Sequence, residues 1–318
     1  MVAFGSIVGQ IPSAFAESLK IASGSQWIGW GPLHIAKEKG YFKDEGLEVE
    51  ITIFDWSTPQ EGFDFLVNKQ IDGRLATLDE STLYWKPESP YVAVMALDVS
   101  SGGDGVLVRT DRSIKSVGDL KGRKVALERT SVSHFLLSYL LQQNNLSEAD
   151  ATIVNLSPED AATAVVSGDV DAAVTFNPYL TKAAEDANVD VLLTSKDTPG
   201  LIADVLLMRK DMVDSNPETC QRIVRAWNKA VDYQKANPDE SAAIMAKGLD
   251  YGTAENIKAD LAGVALQGKD ENARFLRGDG PGTALGTTSF AIKLWTELGR
   301  LTTPVKAENL IDARCLEK

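Results

Sequence analysis

Strands and helices alternate along this sequence, and the alternation begins twice. Alternating or apolar runs such as residues 47–54 (LEVEITIF) are followed by stretches with helical spacing, such as residues 59–70 (PQEGFDFLVNKQ). Strands that alternate with helices form βαβ units, so this order predicts mostly parallel sheets flanked by helices. The order starts again at residues 105–109 and continues to residues 203–209, after which the chain reads as helical to its end.

A sequence pattern that occurs twice indicates two similar halves. Residues 68–80 (NKQIDGRLATLDE) and residues 167–178 (SGDVDAAVTFNP) each end a helix, turn at an aspartate, run through a strand and stop at polar residues. Asp72 and Asp171 stand at matching places. We therefore expect an α/β protein of two lobes, each a mostly parallel sheet flanked by helices, with a helical C-terminal tail.

The lobes are predicted from where the pattern restarts. Lobe 1 takes residues 17–104 and 205–318, and lobe 2 takes residues 105–204, so the chain crosses twice, near residues 99–106 and 202–208. The first crossing contains Ser100, Ser101, Gly102, Gly103 and Asp104. Two glycines there weaken a strand and allow a bend, which favours a hinge over a simple surface loop.

Composition excludes several partner classes. The chain has 318 residues, of which 44% are hydrophobic and 24% charged, and its net charge is −13. Such an acidic balance disfavours nucleic acid and anionic membrane surfaces. No run approaches the roughly 20 apolar residues that a membrane-spanning helix needs.

The N-terminal segment predicts export. Residues 1–16 carry no charge and end in Ala14-Phe15-Ala16 before Glu17. Small residues at these places after an apolar stretch are typical of the end of a secretory signal, so we interpret residues 1–16 as a signal-peptide remnant and expect a periplasmic protein. Cys220 and Cys315 lack metal-site spacing, and both a disulfide and two independent thiols are compatible with the sequence.

Polar and aromatic residues collect where the predicted strands end. Ligands of open α/β sheets bind beyond the carboxyl ends of strands, and five of seven such ends here carry a carboxylate. The predicted ligand-binding residues are Trp27, Trp30, Asp55, Asp79, Glu80, Ser100, Asp104, Glu128, Ser131, Phe176, Asn177 and Asp204.

Most of these residues also have a purely structural interpretation. Tryptophans and Phe176 can pack between elements, and Asp79, Glu80, Ser131 and Asn177 can cap the helices that follow them. Asp55 can be an exposed turn residue. Asp204 is different, because it lies in a run of apolar residues where an unpaired acid is costly, and this favours a functional role.

The chain resembles periplasmic substrate-binding proteins of ABC transporters, of the nitrate/sulfonate/taurine (NMT1/THI5-like) type. The resemblance is carried by Trp27–Phe42 before LEVEITIF, by SIKSVGDLKGRKVALERTSVSHFLL, by DVDAAVTFNP and by DTPGLIADVLL. Within that group it is most similar to the branch encoded beside urea carboxylases, which is associated with guanidine and urea. The resemblance implies two lobes of the type II binding-protein fold that close on a solute and dock on a membrane permease.

The candidate site favours a cation. A guanidinium ion presents hydrogen-bond donors in one plane, donates two-pronged hydrogen bonds to carboxylates and suits aromatic faces. Glu128 repels an anion at the helix start beside Ser131, where an anion would otherwise be favoured. We therefore expect guanidine, or a urea-like solute, with a sulfonate, taurine or nitrate as the alternative.

An enzyme is the rival class. The sequence contains no Ser/His/Asp order, P-loop or metal-ligand spacing, and His34 and His134 lie on predicted helices. A biosynthetic enzyme of the same family is a remote alternative; the resemblance would require a cofactor lysine and a cysteine-rich motif, and no such cluster occurs in the sequence. We expect a monomeric binding protein without a cofactor, whose partners are a small solute and permease subunits.

Overall fold

Two β-sheets organise the chain in the computed structural model, which describes residues 16–54, 58–88 and 90–316. The first sheet has the order β11-β4-β10-β3-β1-β2, from β1 (Glu17–Ser23), β2 (Leu47–Ile53), β3 (Gly73–Thr77), β4 (Tyr91–Ser100), β10 (Ala203–Arg209) and β11 (Val264–Leu266). The second has the order β7-β6-β8-β5-β9, from β5 (Asp104–Arg109), β6 (Lys124–Leu127), β7 (Thr152–Asn155), β8 (Ala172–Phe176) and β9 (Val189–Thr194).

Helices flank both sheets and build the C-terminal region. The helices are α1 (Gly31–Glu38), α2 (Tyr41–Asp44), α3 (Pro59–Val67), α4 (Leu78–Tyr84), α5 (Val132–Gln143), α6 (Pro158–Ser167), α7 (Tyr179–Ala183), α8 (Lys210–Ser215), α9 (Pro217–Ala236), α10 (Pro238–Leu249), α11 (Ala254–Leu261), α12 (Lys269–Arg277) and α13 (Ala284–Glu297). The predicted two-sheet α/β fold with a helical C-terminal region is confirmed. The described residues include no helix that is both long and apolar enough to span a membrane.

The sheets are mixed, which corrects the expectation of mostly parallel strands. In the first sheet β1 pairs in parallel with β2 and β3, but β10 runs antiparallel to β3 and β4. In the second sheet β6 is parallel to β7 and β8, whereas β5 is antiparallel to β8 and β9. The reason is the crossing of the chain: β4 leads out of the first sheet and β10 leads back into it, so they run in opposite directions.

Burial follows the sequence patterns. Every residue of β4 except Val99 is buried, as expected for a central strand with both faces covered. The edge strand β2 alternates buried and exposed residues at its start. The short strand β11 was not predicted, because a run of 3 residues is too short to show a period.

The first crossing depends on two glycines. The chain leaves the first sheet at Ser100 and enters the second at Asp104, within the predicted range. Gly102 has a φ of +119°, which favours glycine, and a Cβ on Gly103 would lie 2.5 Å from the Trp27 ring. Backbone and aromatic ring therefore approach each other closely at this point.

The return crossing is earlier than predicted. The chain leaves the second sheet at Thr194 and rejoins the first at Ala203, so the predicted boundary after residue 204 falls inside β10. By strand pairing Asp104 belongs to lobe 2 and Asp204 to lobe 1, each across the predicted boundary. Movement of the lobes about these two crossings stays a prediction.

A disulfide attaches the C-terminal tail to lobe 1. Cys220 on α9 is bonded to Cys315, with 5.3 Å between their Cα atoms and a sequence separation of 95. The adjoining tail also contacts β4, since the Asp312 backbone N–H donates to the Ala93 carbonyl at 3.0 Å. Of the two alternatives open from the sequence, the structure therefore has the disulfide.

Removal of this disulfide is expected to destabilise the protein without changing its fold. A crosslink that closes a long loop limits the unfolded ensemble, so Cys220→Ser/Cys315→Ser should lower the free energy of unfolding by about 2–5 kcal/mol. Urea unfolding of the variant, beside oxidised and reduced wild type, measures the loss. Equal midpoints for all three proteins would contradict the prediction.

Candidate binding cleft

A cleft of about 320 Å³ lies where the two sheets meet, and both lobes contribute to its walls. It is formed by strand ends and by the starts of α3, α4, α5 and α6, as expected for ligand sites of α/β sheets. Eight of the twelve predicted residues line it: Trp27, Trp30, Glu80, Asp104, Glu128, Ser131, Phe176 and Asp204.

The other predicted residues lie elsewhere. Asp79 is buried outside the lining, in the first turn of α4, and neither of its carboxylate oxygens has a hydrogen-bond partner. Ser100 is also buried outside the lining, and its hydroxyl donates to Asp104 Oδ2 at 2.6 Å, so it supports a lining residue. Asp55 lies outside the described residues.

Asn177 joins the lobes and does not line the cleft. Its Nδ2 donates to Asp260 Oδ1 on α11 at 3.0 Å, and its Oδ1 accepts from the Thr181 backbone N–H at 3.3 Å. Tyr251 donates its hydroxyl proton to the other oxygen of Asp260. Its amide is therefore occupied by the first turn of α7 and by Asp260, and Asn177 bridges the lobes.

Carboxyl groups dominate the lining. Glu80 and Asp204 come from lobe 1, and Asp104, Glu128 and Glu159 come from lobe 2. Among the described lining residues Arg74 is the one basic side chain. The acidic side chains of the lining thus outnumber the basic one by five to one.

Burial raises the pKa values of these acids. It raises the pKa of Asp104 and of Glu128 to about 7, because a buried carboxylate loses hydration. The pKa of Asp204 is raised well above its usual value, first by burial and then by Asp98 and Asp104. Part of the cluster therefore holds protons near neutral pH when no counter-charge is present.

Asp98 is a fully buried acid beside the lining residue Asp204, and sequence reasoning missed it. It is opposite Asp204 in the pairing of β4 with β10, and burial raises its pKa to about 8. The signal that could have found it is its position, since Asp98 interrupts the apolar run of β4 near the end of the strand. Arg74, Glu159 and Tyr179 were also missed as lining residues.

Asp98 fixes the orientation of Trp27. The indole Nε1 donates to both carboxylate oxygens, at 3.2 and 3.1 Å. A Cβ on Gly29 would lie 1.8 Å from Asp98 Oδ2, so only glycine at position 29 leaves room for the carboxylate. The Trp27 ring then meets Phe176 of lobe 2 edge-on, with 6.0 Å between ring centroids, and so forms an aromatic wall from both lobes.

Ser131 keeps its capping role at the cleft. Its hydroxyl oxygen accepts from the Ser133 backbone N–H at 3.2 Å, and the hydroxyl donates to the Glu128 carbonyl at 2.8 Å. The start of α5 is thus ordered by the chain itself, with Ser131 and Val132 in the cleft wall.

Comparisons with known proteins identify relatives. The family model described as NMT1/THI5 like matches residues 27–241. A Bacillus subtilis protein named for binding aliphatic sulfonates is 31% identical over 235 residues, which cover 71% of this chain and 69% of that protein. The taurine-binding periplasmic protein of Escherichia coli is 28% identical over 217 residues, covering 59% of this chain and 65% of the relative.

A solved structure matches the fold. The periplasmic aliphatic sulphonate binding protein SsuA of Escherichia coli superimposes with a TM-score of 0.77 over 93% of this chain and 97% of its own, at 22% identity. This similarity confirms the two-lobed architecture.

The raised pKa values predict that the protein without solute loses stability in alkaline solution. Carboxyls that keep protons in the folded state but not in the unfolded state stabilise the fold at low pH, and this stability is lost as the pH rises through the folded pKa values. Between pH 6.5 and 8.5, which spans the pKa values of about 7 and 8 for Asp104 and Asp98, the free energy of unfolding should fall by about 1–3 kcal/mol. Urea titrations across this range measure it.

The matched controls are two aspartate variants. Asp104→Asn should reduce the pH dependence, whereas Asp111→Asn, at an exposed acid paired with Arg109, should leave it unchanged. Stability that stays level or rises over the range would contradict the prediction.

Proposed function

Because the chain belongs to the NMT1/THI5-like family, we propose that it is the extracytoplasmic solute-binding component of an ABC importer. We propose further that its solute is a small planar cation, guanidine first, with a urea-like molecule as the neutral variant. The named relatives that bind sulfonates and taurine support the transport role. The chemistry of the cleft supports the choice of solute.

The carboxyl groups that both lobes direct to one cleft carry this proposal. Glu80 and Asp204 on one side and Asp104 and Glu128 on the other can accept hydrogen bonds from a solute between them. A guanidinium ion has enough donors to reach several of these groups at once, and the Trp27 and Phe176 rings suit its flat faces. Urea has the same shape but no charge, so it gains less from the acids.

A small sulfonate, taurine or nitrate is the second candidate. It is favoured by the relatives, two of which are named for sulfonates and taurine, and by the one basic residue in the described lining, Arg74. The carboxyl groups of the same lining oppose it wherever they are ionised, because an anion there would meet like charge in a buried site.

Catalysis is not part of the proposal. Both cysteines of the chain are joined in a disulfide, and no group of His, Cys, Asp or Glu in the described part of the chain could hold a metal ion. The relatives named above are binding proteins. We infer an exported, periplasmic monomer that delivers its solute to permease subunits.

Thermal unfolding with a panel of solutes tests the solute class. Guanidinium chloride, urea, taurine, sodium ethanesulfonate and sodium nitrate are each added at millimolar concentration, with sodium chloride as the ionic control. A bound solute raises the melting temperature by mass action, and guanidinium should raise it most. A larger shift with taurine, ethanesulfonate or nitrate would replace the cation by the second candidate.

Asp104→Asn is expected to weaken guanidinium binding. The substitution keeps the shape of the side chain but removes a charged acceptor, which should cost about 1.5–3 kcal/mol, or roughly 10- to 150-fold in Kd. Calorimetric titration compares this variant with wild type, and Asp111→Asn is the control at an exposed acid of the same lobe. Unchanged affinity in a folded Asp104→Asn variant would remove this residue from the site.

A further inference from the structure

One corner of the acidic cleft is built to attract negative charge. Ser131 and Val132 at the start of α5 line it, and α5 is a helix of 12 residues whose first N–H groups carry partial positive charge. Arg74 on β3 lies in the same wall, is only 3% exposed and has its guanidinium 4.0 Å from the centre of the Phe63 ring. A helix start beside a buried guanidinium is a favourable place for an anion.

The carboxylate of Glu80 is located at this corner. Its Oε2 lies 3.8 Å from Arg74 Nη2, and both side chains are largely buried in the wall of the cleft. Burial raises the pKa of Glu80, while the Arg74 charge and the Val132 backbone N–H act to lower it. A carboxylate of lobe 1 thus meets the helix start of lobe 2.

We propose that Glu80 is the specificity-determining residue of the cleft: it fills the anion-attracting corner formed by Arg74 and the start of α5, and so excludes small anions. This inference rests on the proposed function, which it deepens by naming the residue that selects solute charge. Cations are not excluded, because Glu80 already compensates the positive charge of Arg74 and of the helix start. The other acids of the lining remain available to a cation.

The alternative role for Glu80 is purely structural, as a counter-charge that keeps Arg74 folded in place. The two roles differ in what happens when the carboxylate is removed. A structural counter-charge predicts lower stability and nothing more. A carboxylate that fills an anion site predicts that an external anion can take its place, because a sulfonate would no longer have to displace a buried acid and leave it unpaired.

The experiment is a gain of anion binding in Glu80→Gln. Thermal unfolding and calorimetry with sodium ethanesulfonate and guanidinium chloride are run on wild type, on Glu80→Gln and on Glu159→Gln, which neutralises another glutamate of the cleft at the start of α6. Glu80→Gln should bind ethanesulfonate at least about tenfold more tightly than wild type, as expected for a charge-assisted hydrogen bond made newly accessible. Glu159→Gln also removes one negative charge of the lining but leaves the carboxylate beside Arg74 in place, so its gain in ethanesulfonate affinity should be clearly smaller than that of Glu80→Gln.

Each outcome decides one question. If Glu80→Gln does not fold, Glu80→Ala takes its place, because it removes the carboxylate without setting an amide beside Arg74. If folded Glu80→Gln binds ethanesulfonate no more tightly than wild type, or if Glu159→Gln gains as much ethanesulfonate affinity, the proposed role of Glu80 is overturned. Wild type that itself prefers ethanesulfonate to guanidinium overturns the proposed solute class, and this result is read from the wild-type titrations alone.

Discussion

Burial of carboxyl groups between the two sheets is the constraint on which the site depends. Asp98, Asp104 and Asp204 are each no more than 3% exposed, and two of them stand opposite each other on neighbouring strands. Charges in such a place are costly unless a proton, a cation or a donor compensates them. The indole N–H of Trp27 and the hydroxyl of Ser100 supply part of that compensation. The carboxyl oxygens that these two donors do not occupy can accept hydrogen bonds from a solute.

The fold could be predicted from the sequence because its elements have clear periods. The alternation in residues 47–54 placed β2 nearly to the residue. Strand direction could not be read in the same way, because pairing of β10 with β3 and β4 is set by the path between the lobes. The sequence could not decide whether Cys220 and Cys315 form a disulfide, because the bond requires the C-terminal tail to return to α9.

The cleft could be predicted in outline because strand ends gather at one edge of a sheet. That rule brought Glu80, Asp104, Glu128 and Asp204 together correctly in space, whereas their contact with a solute stays a prediction. It could not find Arg74 or Asp98, which lie inside strands where a polar residue reads as part of the apolar pattern. It also could not tell that Asp260, far along the chain, occupies the amide of Asn177.

The distribution of charge over both lobes links solute binding to closure. If the lobes move about the two crossings, ionised carboxyls of Glu80 and Asp204 approach those of Asp104 and Glu128 as the cleft narrows, and their repulsion grows as water leaves. A cation between them turns this repulsion into attraction from both sides. The contacts of Trp27 with Phe176 and of Asn177 with Asp260 also join the lobes, and neither involves Glu80, Asp104, Glu128 or Asp204. Under the proposed function an anion would offer no such gain, because it would add to the negative charge that opposes closure.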